Sequence, residues 1–342
     1  MDWKCAPACI GSLPCSDPAQ ALDLVFRFLK EVPFWPQLPQ LGFQENMYAQ
    51  FSGLLPGALI DPVAKKITVD LDAYDAEAFY TAVLSDDLDY FSYPRGSFRG
   101  FYELKQRGIP KSAVAVKGQV TGPVSLGLQI TDRTGKSVIY DEAYSEIVRK
   151  NLNCMLRWQE RELRRKHERV LMFLDEPSLS LVGTPFAAIS GEQVRAWIDE
   201  VYENASCIRG LHCCGNTDWP TVLSTSIDVL SFDAYSYGHT IALYPNEVAA
   251  FLERGGSIAW GIVPNQEDPL RLENAAGLLE KLDRIMSSLV SKGVSEDLLY
   301  RTSLLTPQCG LGPLDGATAT EALVLLDQVS SACRSEHGLE GG

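Results

Sequence analysis

Three ligand-type side chains stand where apolar runs give way to glycine-containing loops. His212 and Cys214 lie in Leu211-His212-Cys213-Cys214-Gly215-Asn216, and Cys309 lies in Thr306-Pro307-Gln308-Cys309-Gly310-Leu311-Gly312. Residues two apart in extended chain point the same way, so His212 and Cys214 can share a target while Cys213 faces the other side. An imidazole and two thiolates suit Zn²⁺, and ligands gathered from distant segments read as a catalytic centre rather than a local finger. Asp233, at the end of Ile227-Asp228-Val229-Leu230-Ser231-Phe232, is a fourth candidate ligand. Each residue alone has a plainer reading: a buried thiol, a satisfied core histidine, a helix cap. Together, His212, Cys214 and Cys309 favour a metal that activates a thiol.

Two further motifs follow apolar runs. Leu174-Asp175-Glu176-Pro177 offers two carboxylates stiffened by proline, suited to holding an ammonium group, to acid–base work, or simply to capping a helix. Ile10-Gly11-Ser12 can present backbone N–H groups to a carboxylate, because glycine permits close approach.

The elements that must position these residues alternate. Apolar runs at Ala8–Ser12, Ala113–Gly118, Val170–Leu174, Cys207–Leu211, Val229–Phe232, Ser257–Ile262 and Leu304–Leu305 read as strands. Apolar residues at three- and four-residue spacing predict helices over Ala21–Leu29, Tyr140–His167, Gly191–Glu203, Pro245–Arg254, Glu273–Ser291 and Ala319–Cys333. The alternation fits an α/β fold, either a doubly wound sheet or a (β/α)₈ TIM barrel. Polar motifs after nearly every strand favour the barrel, where all strand ends meet at one face. One barrel domain over 1–342 is expected, with a long β–α excursion after the first strand, about 34–108, lying over the barrel mouth. That excursion is rich in Pro, Gly and aromatics and suits substrate contacts or a lid. The stretch from Glu336 to Gly342 reads as a frayed tail.

Composition narrows the function. The chain has 342 residues, 46% of them hydrophobic, enough for a large core. Its net charge of -14 argues against nucleic acid or a membrane surface as partner. No apolar run approaches the roughly 20 residues of a membrane helix. The start, Met1-Asp2-Trp3-Lys4-Cys5, lacks the pattern of a secretory signal. Nine cysteines in a chain of this size then read as reduced thiols, and a cytoplasmic location is expected.

In chain order, Ile10-Gly11-Ser12, Val116-Lys117-Gly118-Gln119-Val120-Thr121-Gly122-Pro123-Val124, Asp175-Glu176-Pro177, His212-x-Cys214, Asp233 and Cys309-Gly310-Leu311 resemble the C-terminal catalytic barrel of cobalamin-independent methionine synthase. The resemblance spans nearly the whole chain. It implies Zn²⁺ held by His212, Cys214 and Cys309, with Asp233 where that family usually has Glu. It also implies homocysteine as substrate, its amino group on Asp175 and its carboxylate on the backbone of Ile10, Gly11 and Ser12. A second acidic contact to the amine is expected in the excursion, at Glu45.

The departures bear on the methyl donor. The family's second, N-terminal barrel has no room in 342 residues, so a short core synthase is expected. The tryptophan that stacks on folate falls on Gln129, the histidine that assists leaving-group protonation on Ile262, and the acid after Asp-Glu-Pro on Leu181. Methyl transfer from a tertiary amine benefits from a positioned acid, whereas a methylcorrinoid departs without one. Methylcobalamin or a methylated corrinoid protein is therefore the expected donor. Among the alternatives, a different thiol acceptor such as coenzyme M would leave Asp175 without an ammonium partner. A non-catalytic zinc-binding scaffold for a corrinoid partner would close the site with four protein ligands. The related uroporphyrinogen decarboxylases lack the zinc set.

Overall fold

The computed structural model describes residues 1–339. Its main sheet has seven strands: β1 (Ala6–Pro7), β4 (Val116–Thr121), β6 (Val170–Asp175), β7 (Ile208–Cys213), β8 (Val229–Phe232), β9 (Ser257–Val263) and β10 (Leu304–Pro307). A small sheet is formed by β2 (Ala58–Asp61), β3 (Lys66–Val69) and β5 (Thr131–Asp132). In the main sheet the order is β1-β10-β9-β8-β7-β6-β4, and every pairing is parallel. Its strands are largely buried on both faces, as in a parallel sheet covered by helices, although β4 turns Lys117, Gln119 and Thr121 to one side.

The sheet curls. On β6, Leu171 and Phe173 join an inner cluster with Ala6, Val229, Ala259 and Leu304, while Val170, Met172 and Leu174 belong to the larger cluster that includes the helices' buried side chains. Alternate residues of one strand thus serve two separate cores. Between the edge strands β1 and β4 lies the extended segment 33–37. It makes isolated parallel bridges on both sides, Phe34 with Lys117 and Gln37 with Ser12. Lys117 N–H donates to the Pro33 carbonyl at 2.8 Å and Gln37 N–H to the Gly11 carbonyl at 2.8 Å.

The helices start where the sequence supplies caps. Asp141 accepts from Tyr144 N–H to open Glu142–Arg164, and Ser190 forms a capping box with Gln193 to open Gly191–Val201. Helix bounds follow the periodicity to within a few residues. The first strand differs: the ladder holds only Ala6–Pro7, and Ala8–Ser12 runs on beyond it as mostly buried loop. Helix Gly316–Glu336 includes the first residue of the stretch expected to fray, and 340–342 lie outside the described residues.

The excursion 34–108 carries helices Met47–Ser52, Glu77–Leu84 and Arg99–Gln106 besides the β2–β3 hairpin. It is anchored by buried aromatics. Tyr93 stacks on Phe98 at 4.0 Å between ring centroids, and Trp35, Phe51, Phe101 and Trp158 surround that pair. Truncating one such ring to Ala typically costs about 3–5 kcal/mol. Among the described residues, no helix is long and apolar enough to cross a membrane.

Candidate metal and substrate site

His212 and Cys214 leave the C-terminal end of β7, and Cys309 follows β10. Their ligand atoms all lie within 4.8 Å of one another. The imidazole is buried. Its Nδ1 lies 3.0 Å from the Ser231 hydroxyl on β8, while its Nε2 has no hydrogen-bond partner. A buried ring nitrogen without a partner is costly unless something else satisfies it. The two thiols compete for a proton: hydrogen bonding with Cys309 is the main reason the Cys214 thiol drops to about 4, helped by His212. The same contact, together with burial, pushes Cys309 up. The pair gives up its first proton readily and its second with difficulty. One imidazole nitrogen and two sulfurs at this spacing fit Zn²⁺, and a cation there would favour the doubly deprotonated pair.

Asp233, the expected fourth ligand, is not part of this cluster and is committed elsewhere. Its Oδ1 caps helix Ala234–Ile241 by accepting from Ser236 N–H at 2.8 Å. The Gln308 amide donates to Oδ1 at 3.0 Å and to Oδ2 at 3.1 Å. Gln308 is itself positioned by Asn265 N–H, which donates to its Oε1 at 3.1 Å. The residue preceding Cys309 therefore clamps the acid that follows β8.

Asp175 ends β6 opposite His212 in the strand register. It is 6% exposed, and its Oδ1 has no hydrogen-bond partner. Burial raises its carboxyl to about 6, against the lowering pull of Lys117 and His212. Its neighbour Glu176 has the helix-cap role: it accepts from Val124 N–H, Ser125 N–H and the Ser125 hydroxyl at 2.8, 2.8 and 2.6 Å. Gly122 is required there, because a Cβ would lie 2.2 Å from Glu176 Cδ.

Ile10, Gly11 and Ser12 pass against the loop after β10. Leu311 N–H donates to the Ser12 carbonyl at 2.9 Å and Gly312 N–H to its hydroxyl at 3.2 Å. Among the described residues, the N–H groups of Gly11 and Ser12 donate to no protein acceptor. Ser12 lines a cavity of about 320 Å³ with Gln37, Glu45, Met47, Gly312 and Pro313. Glu45 is buried, which pushes its carboxyl up. It is held by Arg99 N–H at 3.0 Å and by the Gln50 amide at 3.1 Å. The excursion thus brings a carboxylate to the first loop. A larger cavity of about 460 Å³ lies between the helices around Tyr140, Arg149 and Trp197, and none of the candidate residues lines it.

Four contributors carry no role in the sequence reading. Ser231 and Gln308 are polar residues inside apolar contexts, and only their alternation with Asp233 and adjacency to Cys309 mark them. Lys117 is 2% exposed inside β4. Tyr48 is pushed up to about 12 by burial and by the negative field of Glu176, Cys214, Asp175 and Cys309, so it stays protonated. At the departures, Ile262 is fully buried in β9 and Leu181 is 38% exposed.

No family model matches the chain, and no curated protein is detectably similar to it. Solved structures share its fold. A B12-independent methionine synthase from Shewanella sp. W3-18-1, in complex with selenomethionine, superposes with a TM-score of 0.56 at 14% identity, over 98% of this chain and 99% of that one. A methyltransferase from Methanosarcina mazei superposes with a TM-score of 0.56 at 14% identity, over 94% of this chain and 86% of that one. At these identities the likeness is one of fold.

Proposed function

We propose that this chain is a zinc-dependent methyltransferase that methylates the sulfur of homocysteine to make methionine, with methylcobalamin or a methylated corrinoid protein as donor. The observation that carries the reading is the convergence of His212, Cys214 and Cys309 around an unpartnered imidazole nitrogen, next to an unpartnered Asp175. The fold supports it, since both solved structures described above carry methyltransferase or methionine synthase descriptions. In this reading segment 33–37 closes a (β/α)₈ barrel as its eighth strand, and the excursion covers the barrel mouth. The nine free cysteines suit a reducing, cytoplasmic setting.

Zn²⁺ held by His212, Cys214 and Cys309 would lower the pKa of an added thiol and keep it a nucleophilic thiolate. Asp233 would be a further ligand only if Gln308 released it. Asp175 binds the substrate ammonium with Glu45 as the second acid, and the free N–H groups of Gly11 and Ser12 receive the carboxylate. These contacts fix the amino-acid end so that the sulfur meets the methyl carbon in line, converting an encounter into a positioned displacement.

The donor assignment rests on the residue that stands where the resemblance expects an acid and on the nearby Tyr48. The position expected to supply a proton is occupied by buried Ile262. The Tyr48 hydroxyl, held at about 12, is a reluctant acid. A donor whose leaving group needs no proton matches that environment.

The test is methionine formation by zinc-loaded protein, with homocysteine and either methylcobalamin or methyltetrahydrofolate as sole donor. Product with methylcobalamin, lost in Cys309→Ser, supports the reading. Product with the folate alone overturns the donor assignment. Product with neither, and none with a methylated corrinoid protein, overturns the reaction.

A further inference from the structure

We propose that Lys117 is a positioning residue for the substrate carboxylate: its buried ammonium holds the Ile10 carbonyl and thereby sets the turn Ile10–Ser12 that receives that carboxylate. The inference rests on the homocysteine reading above and extends it to a residue beneath the pocket.

The geometry is specific. Lys117 projects from β4, and its ammonium donates to the Ile10 carbonyl and, at 3.2 Å, to Gln119 Oε1. Gln119 is fixed in turn, because its amide donates to the Trp35 carbonyl at 3.0 Å. The rings of Phe34 and Phe173 flank the ammonium at 5.5 and 5.0 Å. Lys117 forms no ion pair among the described residues. Burying an ammonium on neutral acceptors is expensive, and a Met or Leu would fill the same volume without that cost. The lysine must therefore give something that packing does not.

What it gives is a hold on a loop with few others. The ladder of β1 ends at Pro7, three residues before Ile10. Beyond it, the turn is tied by Gln37 at Gly11 and by Leu311 and Gly312 at Ser12. The Lys117 contact is the tie on Ile10 itself, and its donor is charged, which makes such bonds roughly twice as strong as neutral ones. With the Ile10 carbonyl drawn down onto the lysine, the following N–H groups of Gly11 and Ser12 stay free of protein acceptors. The positive charge beneath them also favours an anion there and opposes the acidic surroundings of Asp175 and Glu45.

The experiment is calorimetric titration of zinc-loaded full-length protein with two thiols, L-homocysteine and 3-mercaptopropylamine, which is homocysteine without its carboxylate. For Lys117→Met, the Kd of homocysteine should rise about tenfold or more, with zinc content unchanged and the Kd of the amine thiol within twofold of wild type. A purely structural role predicts equal losses for both thiols, and that result overturns the proposal, as does an unchanged homocysteine Kd. If Lys117→Met does not fold, Lys117→Arg receives the same comparison: its planar fork displaces the carbonyl, so the carboxylate-selective loss persists, and its absence overturns the proposal. Wild-type protein that binds neither thiol overturns the homocysteine reading together with this one. Wild-type protein that binds homocysteine no better than Lys117→Met does overturns this one alone.

Discussion

Ser231 holds His212 by one ring nitrogen and leaves the other free. Its hydroxyl lies 3.0 Å from Nδ1, and Nε2 is buried without a partner beside the Cys214 and Cys309 sulfurs. The two residues sit across from each other in the β7–β8 register, so the ring is oriented by the sheet itself.

That relationship makes the first prediction. Ser231→Ala removes the group that fixes the imidazole's orientation, and such outer partners typically matter about 10- to 100-fold in metal affinity. Competition against a zinc chelator should show a loss in that range with the fold intact. Unchanged affinity would mean the ring is held by packing alone.

Asp233 and Cys309 should differ in what they give the metal. Cys309→Ser removes a thiolate from the converging set and should abolish stoichiometric zinc binding. Asp233→Ala should weaken it by about tenfold at most, because its oxygens already serve Gln308 and a helix N-terminus. The lost cap should lower stability by about 1 kcal/mol. Equal zinc loss in both variants, read by metal analysis after gel filtration, would place Asp233 on the metal at rest.

Binding of the amino-acid substrate should weaken as pH falls through about 6, where burial sets the Asp175 carboxyl. The sign follows from the charge: an ammonium needs the ionised carboxylate, which is present above that pH and lost below it. Titration calorimetry between pH 7.5 and 5.5, with zinc retention monitored, should show this limb in wild type. In Asp175→Asn it should be absent, and binding at pH 7.5 about 10- to 100-fold weaker. A limb that survives the substitution would belong to another group.

Lys117 should leave a signature in stability as well as binding. Burial lowers its pKa from 10.5 to about 8. Between those values the unfolded chain binds a proton that the native chain has released, so stability rises with pH across this window. The cost of burying the charge is fully present below pH 8 and gone above 10.5, a change on the order of 3 kcal/mol. Urea unfolding of wild type and Lys117→Met at several pH values should show the slope in wild type only. Parallel profiles would mean the ammonium is better solvated than its burial implies.

The sequence by itself determined the candidate cluster His212, Cys214 and Cys309 and most of the scaffold. Two-residue spacing put His212 and Cys214 on one side of an extended segment, and apolar runs marked β6 to β10 because a parallel strand covered on both faces reads as unbroken hydrophobic chain. Helix bounds were legible through apolar residues at three- and four-residue spacing. What only the tertiary structure decided were the partnerships across the sheet. Segment 33–37, with Pro33 and Pro36 lacking N–H donors, shows no strand pattern and is recognised only by its bridges to Lys117 and Ser12. The Gln308 clamp on Asp233, the Ser231 contact to His212 and the Lys117 tie to Ile10 join residues 75, 19 and 107 positions apart. Periodicity reports which way a side chain faces along its own element. Which polar group it meets depends on how the sheet curls, and that is settled by the packing of the whole chain.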